Sequence, residues 1–577
     1  MHVRTGAEPS LDYLSARDPS ERVLALATML WGAVLSTWLT WLFFRAPPDL
    51  LHWNHEGASY IYRLVEFVDC LRAGQPFPQW ASDFRGGLGS PYFGYYQPGF
   101  FYVASAFTLF FSTAREALGG ALWLFSLAGF LATAALVRAR FGGVAGVLAG
   151  SALLLSHYPR LEIYVRGDLS EYAAMMTLPI ALCALTRWLE DARPRSWSAL
   201  ALASGALVVL HAGVGLIGYG FLTLATLWYA AALGAWHRGL SAVGALLLGM
   251  GLVAFYWFPV AFEWSLASGD RVAYGPYHYG YHFIDARQLL GWEGRLTFVS
   301  VDLEPVVPAL AIVGLVMLGV RRGEHRSTQR RLVGLLWTVT ALSMFLMTPA
   351  SQFVWERLPL LRLLQFPWRL LVALTVATAM LAGCQPLLPR VVAGGGILAL
   401  LWWAAVGLTP GPLIRYPVVH DGADLRGIFF VPDLAGEWLP PDAQAFRART
   451  VPRELRCIPE CERASIDRGQ GWIRVRVTTE QGASVVVPQY FFPAGWRVTL
   501  DGQPVETDKD PAGLLRVTVP PVRDGVIEAR FHMTPMRRLG VAVSAVAFVL
   551  WLALVAMSRD GTVRTIGRRR PSTSGPR

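Results

Sequence analysis

Apolar runs of 16 to 22 residues recur along most of this chain. A bilayer core needs roughly 20 apolar residues per spanning helix, so so many runs can be buried together only by building the chain around a membrane. The runs place spans near 23–44, 117–137, 141–157, 172–189, 197–211, 214–235, 240–261, 306–320, 332–348, 367–384, 390–409 and 537–557. The first reads as an anchor, since no small-residue cleavage site follows it. Charge agrees: 16% of the residues are Asp, Glu, Lys or Arg, against roughly 25% in soluble domains.

The net charge of +11 is unevenly spread. Residues 411–535 hold 15 basic and 16 acidic residues, while 558–577 hold six arginines against Asp560 and 321–331 five arginines against Glu324. Short arginine-rich loops mark the cytoplasmic side, and nucleic-acid binding is not needed to explain the charge. The segment 98–112 is apolar but short. Reading it as an interfacial helix puts Arg138/Arg140, Arg187/Arg193/Arg195, Arg238, Arg390 and the tail on one inner face; a thirteenth span or re-entrant hairpin is the alternative. The outer face then receives 45–116, 158–171, the turn after His211, 263–305, 349–366 and 410–536.

The chain therefore reads as mainly α, a polytopic helical membrane protein of about 12 spans with a small C-terminal extracytoplasmic β-sandwich. Residues 1–410 form the membrane domain with outer loop 45–116. Residues 411–535 form the β-rich domain, 536–557 the last span and 558–577 a basic cytoplasmic tail. From 472 the apolar pattern alternates (472–478, 484–490, 496–501, 514–519, 526–531), and Asp501-Gly502 is a hairpin signal; 411–470 reads as irregular. Cys457 and Cys461, spaced C-I-P-E-C, can pair in an oxidising compartment, and no His or further Cys stands at zinc spacing.

Candidate chemistry lies on the outer face. Glu56 follows the first span closely, and Tyr60, Leu64, Phe67, Val68 and Leu71 form a helical stripe behind it. Arg63, Trp80, Asp83, Arg85, the glycine-rich G-G-L-G-S-P, Tyr95 and Tyr96 follow, a composition suited to a sugar cleft or to an aromatic headgroup belt. In Y-V-R-G-D-L-S-E, Asp168 and Glu171 are three apart at a helix start, with Arg166 beside them; Asp168 reads equally as a plain N-cap. Glu56 and Asp168 together can act as a base or hold a divalent ion such as Mg or Mn. His211 ends a span at the same face. Gln365 and Arg369 lie in L-L-Q-F-P-W-R, where Arg369 can meet a phosphate or snorkel. His278 and His282 are four apart among glycines, a weak metal pair. There is no Walker A, G-x-S-x-G or H-E-x-x-H sequence, so ATP phosphoryl transfer, serine hydrolysis and zincin chemistry have no support.

On G-Q-P-F-P-Q-W-A-S-D-F-R-G-G-L-G-S-P-Y-F-G-Y-Y-Q-P, Y-V-R-G-D-L-S-E-Y-A-A, L-Q-F-P-W-R and A-G-W-R-V-T-L-D-G-Q-P-V, the chain resembles the "6-pyruvoyl-tetrahydropterin synthase-related" membrane proteins of bacteria and archaea. These are akin to YfhO-type proteins and similar to GT-C glycosyltransferases. The resemblance implies an acidic residue in the first outer loop, a position Glu56 takes, and interfacial helices in that loop. It implies a polyprenyl-phosphate sugar donor, an envelope glycan, lipid or protein acceptor, and a bilayer setting. In that reading Glu56, Asp168 and Glu171 form the acidic site. Arg166 and Arg369 hold the phosphate, and Arg63, Trp80, Asp83, Arg85, Tyr95, Tyr96, His211 and Gln365 shape the substrate cleft. A transporter, flippase or envelope scaffold on the same helix plan is the rival; it needs ionisable residues along a path through the membrane.

Overall fold

The computed structural model describes residues 19–52, 54–268, 277–285, 326–384, 395, 413–428, 430–432 and 451–559. The predicted spans at 306–320 and 390–409, the first part of the 321–331 arginine run and the tail beyond 559 lie outside the described residues. Among those described, six helices are long and apolar enough to cross a membrane: Arg22–Thr40, Ala114–Phe141, Leu169–Asp191, Ala212–Leu233, Ser327–Met347 and Pro535–Met557. Several apolar helices of this kind mark a multi-pass membrane protein. Leu169–Asp191 is the innermost, with 94% of its apolar window buried, whereas Pro535–Met557 has 17% buried and presents its side chains outward.

Three predicted spans come out as helices of 17 residues or fewer. Gly143–Leu155 has 13 residues and Pro194–Leu210 has 17, and Pro367–Gly383 falls in the same short class. The run near 240–261 is not one straight helix: Trp236–Leu252 and Ala254–Phe262 meet at a 77° bend. Pro259 lies within the second piece and cannot donate to a helical ladder. The last helix repairs the break. Ser544 Oγ accepts from Phe255 N at 3.0 Å and donates to Gly251 O at 3.2 Å, satisfying backbone groups that a bilayer leaves without water.

The segment 98–112 holds a helix too short to cross by itself. Its helix, Gly99–Phe107, has nine residues, about 14 Å long, against a core of roughly 30 Å. The next helix then starts afresh at a capping box: Thr113 Oγ1 accepts from Glu116 N at 3.2 Å, and Glu116 Oε2 accepts from Thr113 N at 3.1 Å. Both orphan donors are satisfied reciprocally.

The C-terminal region forms two antiparallel sheets. One orders Arg456–Ile458, Ala483–Tyr490, Leu514–Val519 and Thr507–Lys509; the other orders Arg463–Gly469, Trp472–Thr479, Val522–Phe531, Trp496–Leu500 and Gln503–Pro504. Val475, Val477, Val485, Val517, Ile527 and Ala529 fill the space between them. Asp501 and Gly502 both have positive φ (50° and 80°), and Leu500 pairs with Gln503, so the predicted hairpin turn is of the primed type. The reading of 411–470 as irregular is corrected in four places, one of them the strand Arg456–Ile458 already placed in the first sheet. Leu413–Arg415 pairs with Leu50–His52, Gly422–Ile428 is a short helix, and Arg463–Gly469 is an edge strand. That strand is largely exposed, so its sequence R-A-S-I-D-R-G carries no apolar alternation. Cys457 and Cys461 are bridged, with Cα atoms 5.6 Å apart.

The sandwich is bolted to the loop that follows the first long helix. Trp80 is fully buried with its ring 4.9 Å from Phe531, 5.3 Å from Trp496 and 6.2 Å from Phe492. The glycine-rich turn serves this contact. Gly89 has φ +75°, and a Cβ there would run into Gln489 and the Trp80 ring. Leu88 O accepts from both Tyr490 N and Gln489 Nε2 at 2.8 Å. Arg537, buried at the root of the last helix, donates to Pro78 O, Phe93 O and Gly94 O.

Candidate functional site

The loop carrying Glu56 and the turn carrying Arg166 are zipped together by backbone. His55 N donates to Val165 O at 2.9 Å and Glu56 N to Arg166 O at 3.2 Å. Gly167 makes this approach possible: its φ is +73°, and a Cβ would sit 2.5 Å from Asn54 Oδ1 and 3.1 Å from Glu56 Cβ. Only glycine combines that conformation with that closeness. The turn itself, Glu162–Arg166, is a single π-type turn, a form often found at functional sites.

Asp168 caps the helix Leu169–Asp191, as the plain reading expects: its Oδ1 accepts from Glu171 N at 3.1 Å. The same carboxylate also accepts from Tyr60 Oη at 2.8 Å and lies 3.6 Å from His211 Nε2 and 3.7 Å from Arg166 Nη2. His211 has a double role too. Its Nδ1 accepts from Val214 N at 3.1 Å, capping Ala212–Leu233. A neutral imidazole that accepts at Nδ1 carries its proton on Nε2, and that nitrogen faces Asp168 and, at 3.7 Å, Glu171.

Glu171 is the buried hub. Its Oε1 accepts from Tyr158 Oη at 2.6 Å, and its Oε2 meets Arg166 Nη1 at 2.9 Å and Arg369 Nε at 3.1 Å. Arg166 also bonds Glu162 and lies over the Trp368 ring at 4.5 Å. Arg369 is steadied by Gln365 Oε1 at 2.7 Å and Leu364 O at 2.9 Å, with Gln365 in a positive-φ conformation. On the near side, Arg63 Nη1 pairs with Glu56 at 3.0 Å, and the Arg63 guanidinium is boxed by the rings of Tyr60, Tyr92 and Tyr96 at 5.1 to 5.3 Å. Tyr60 Oη and Tyr96 Oη are 3.0 Å apart and join the two halves.

Two carboxyls here are pushed in opposite directions. Burial raises the Asp168 carboxyl, but the hydrogen bond from His211, with the charges of Arg166 and Arg369, outweighs it and holds the group well below the carboxylate range. Glu56 keeps about a third of its side-chain surface open yet lies in a funnel dense with protein. Burial pushes its carboxyl up, Arg63 pulls it down, and the neighbouring Asp168 charge raises it; the balance is upward.

The donor atoms of Asp168, Glu171 and His211 lie within 4.8 Å of one another, a spacing a cation could bridge. The groups themselves do not fit one. Both Glu171 oxygens are committed to Tyr158 and two arginines, and His211 presents an N–H rather than a lone pair. The predicted ligand Glu56 is paired with Arg63. No step is therefore routed through Mg or Mn.

Of the residues singled out from sequence, Glu56, Arg63, Tyr96, Arg166, Asp168, Glu171, His211, Gln365 and Arg369 come together. Trp80, Asp83, Arg85 and Tyr95 are placed instead in or beside the seam with the β domain. Trp80 is a core plug. Asp83 bonds Arg426 and accepts from Gln470 Nε2 at 2.7 Å. Arg85 is fully buried, its N–H donating to Phe430 O, and Tyr95 donates to Glu263 O at 3.2 Å. His278 and His282 do not converge as a metal pair: His278 Nδ1 accepts from Gly280 N, and His282 packs on Phe366. Sequence reasoning missed Tyr158 and Glu162. The only available signal was Glu162 at i−4 from Arg166.

Comparison with known proteins returns little. No family model matches the chain, and no curated protein does. Among solved structures it is similar to the cryo-EM structure of the arabinofuranosyltransferase AftD from Mycobacteria, at 18% identity and a TM-score of 0.39. The match covers 66% of this chain and 26% of that one, about a quarter of its length. The fold and site define a multi-pass membrane protein with a carboxylate–arginine cluster at one mouth of its helix bundle.

Proposed function

We propose that this chain is an integral membrane glycosyltransferase of GT-C type, moving a sugar from a polyprenyl-phosphate carrier to an envelope acceptor on the outer face. The observation that carries the reading is the divergent pair at one mouth: Glu56 pushed up and partly open, Asp168 held ionised among cations. Environments that separate two carboxyls in this way assign acid–base roles. Glu56, its carboxyl raised by burial, takes the proton from the acceptor hydroxyl. The acceptor oxygen bonds to the anomeric carbon as the carbon–oxygen bond to phosphate breaks, and the phosphate leaves with the electron pair. Arg166 and Arg369 receive that charge, since a leaving anion at a low-dielectric mouth needs fixed positive groups. Asp168 keeps His211 and Arg166 oriented, and Glu171 spaces the two arginines. The arginine-rich short loops orient this mouth and the β domain outward.

Transfer is measured with membranes containing the chain and a panel of polyprenyl-phosphate monosaccharides. Glu56→Gln keeps shape and removes the base, so transfer should fall at least ~100-fold with expression unchanged. Full transfer by Glu56→Gln sinks the catalytic assignment; no transfer by the wild type with any donor of the panel sinks the enzyme reading. A membrane-impermeant thiol reagent on Asp508→Cys in intact cells tests the orientation, with labelling expected.

A further inference from the structure

The opposite end of the buried helix Leu169–Asp191 holds a second feature. Helices Ala114–Phe141, Leu169–Asp191 and Pro194–Leu210 border a cavity of about 470 Å³, whose walls include Leu131, Ala135, Ile180, Cys183, Arg187 and Arg195. Arg187 lies nineteen positions along the chain from Asp168, roughly 30 Å at the rise of an α-helix, so this is not the carboxylate site.

Most of the basic groups at this end are already used. Arg140 pairs with Glu190 at 2.6 Å and Arg193 with Asp191 at 3.1 Å. Arg238 donates to the helix-terminal carbonyls of Leu189 and Glu190 at 2.9 and 2.8 Å. Arg187 and Arg195 differ: among the described residues neither has an acidic partner, and Arg187 Nε is buried with no acceptor. A buried N–H without an acceptor is costly, and two guanidinium groups at the rim of an apolar slot attract an anion that carries its own apolar tail. The small side chains of Ala132, Ala135, Ala184 and Ala199 line an apolar groove that an acyl chain can lie along.

We propose that this cavity binds a membrane phospholipid with an anionic headgroup, the phosphate on Arg187 and Arg195 and one acyl chain along Leu131, Ala135 and Ile180. The site is independent of the transferase reading.

The test is native mass spectrometry of the purified full chain in detergent, titrated with dioleoyl-phosphatidylglycerol or dioleoyl-phosphatidylcholine. Phosphatidylglycerol should be retained about tenfold better. Arg187→Gln with Arg195→Gln should erase that preference, and the double Lys variant, which keeps the charge, should retain part of it. Ala132→Trp, which fills the apolar slot without touching charge, should weaken retention. Equal retention of both lipids by the wild type overturns the proposal. So does an undiminished preference in the double Gln variant. If that variant fails to fold, unchanged phosphatidylglycerol retention in Ala132→Trp overturns it.

Discussion

Two acidic clusters flank the helix Ser59–Arg72, and they use the same residue types to opposite ends. At its start, Glu56, Asp168, Glu162 and Glu171 face Arg63, Arg166, Arg369 and His211. At its far end, Glu66 accepts from Asp83 N at 3.1 Å, and Asp83 meets Arg426 and Gln470. The first cluster matches its carboxylates with three arginines and the His211 N–H and so keeps Asp168 ionised. The second buries Glu66 completely beside another carboxyl. Burial, then the Asp83 charge, push Glu66 well above the carboxylate range, so it is held as a neutral fastener between the loop after the first long helix and the β domain. Acidic residues in a loop therefore say little until the cations around them are counted.

The largest expected contrast comes from removing one partner in each cluster. Glu171→Gln leaves Arg166 and Arg369 facing each other across a neutral amide and should cost about 3–5 kcal/mol, as for a broken buried pair. Glu66→Gln replaces a neutral acid by a neutral amide and should stay within about 1 kcal/mol. Thermal unfolding in detergent reads both; equal losses would dissolve the distinction.

The pH dependence sharpens it. Asp168 has a depressed carboxyl, so its stabilisation is present above the unfolded value and is lost as pH falls through the folded one. The deficit of Asp168→Asn should shrink in acid. Glu66 is raised, so the wild type loses its contribution as pH rises above the unfolded value, and Glu66→Gln should gain on wild type toward higher pH. Parallel curves for the two variants would refute the assignment. In transfer assays the acid limb should lie above the ordinary glutamate value of 4.5, because Glu56 is raised; a limb at or below it would detach Glu56 from the base role.

The smallest effect belongs to the link between the two halves of the carboxylate–arginine site. Tyr60 Oη donates to Asp168, contacts Tyr96 Oη and accepts from Ser170 N at 3.2 Å. Tyr60→Phe should cost about 1–2 kcal/mol and lower transfer less than Glu56→Gln does. A loss as large as that of Glu56→Gln would make the tyrosine part of the chemistry.

Much of this architecture was readable in one dimension. Long apolar runs, the alternating strands from 472 and the Asp501-Gly502 turn all report local periodicity, and periodicity is set by residues close in sequence. Asp168, Glu171 and Arg166 were legible because one turn carries all three. Trp80 was not: an aromatic residue in an outer loop suits a sugar face as well as a core, and the side chains that close over it, Phe492, Trp496 and Phe531, lie some 400 residues later. The same holds for charge. Sequence alone fixes which residues can ionise and that the chain lives in a membrane. Only the tertiary structure decides that Arg369 reaches Glu171 from 198 positions away while Glu66 is buried beside the Asp83 carboxyl, because a carboxyl's state is set by the charges and burial that folding brings to it.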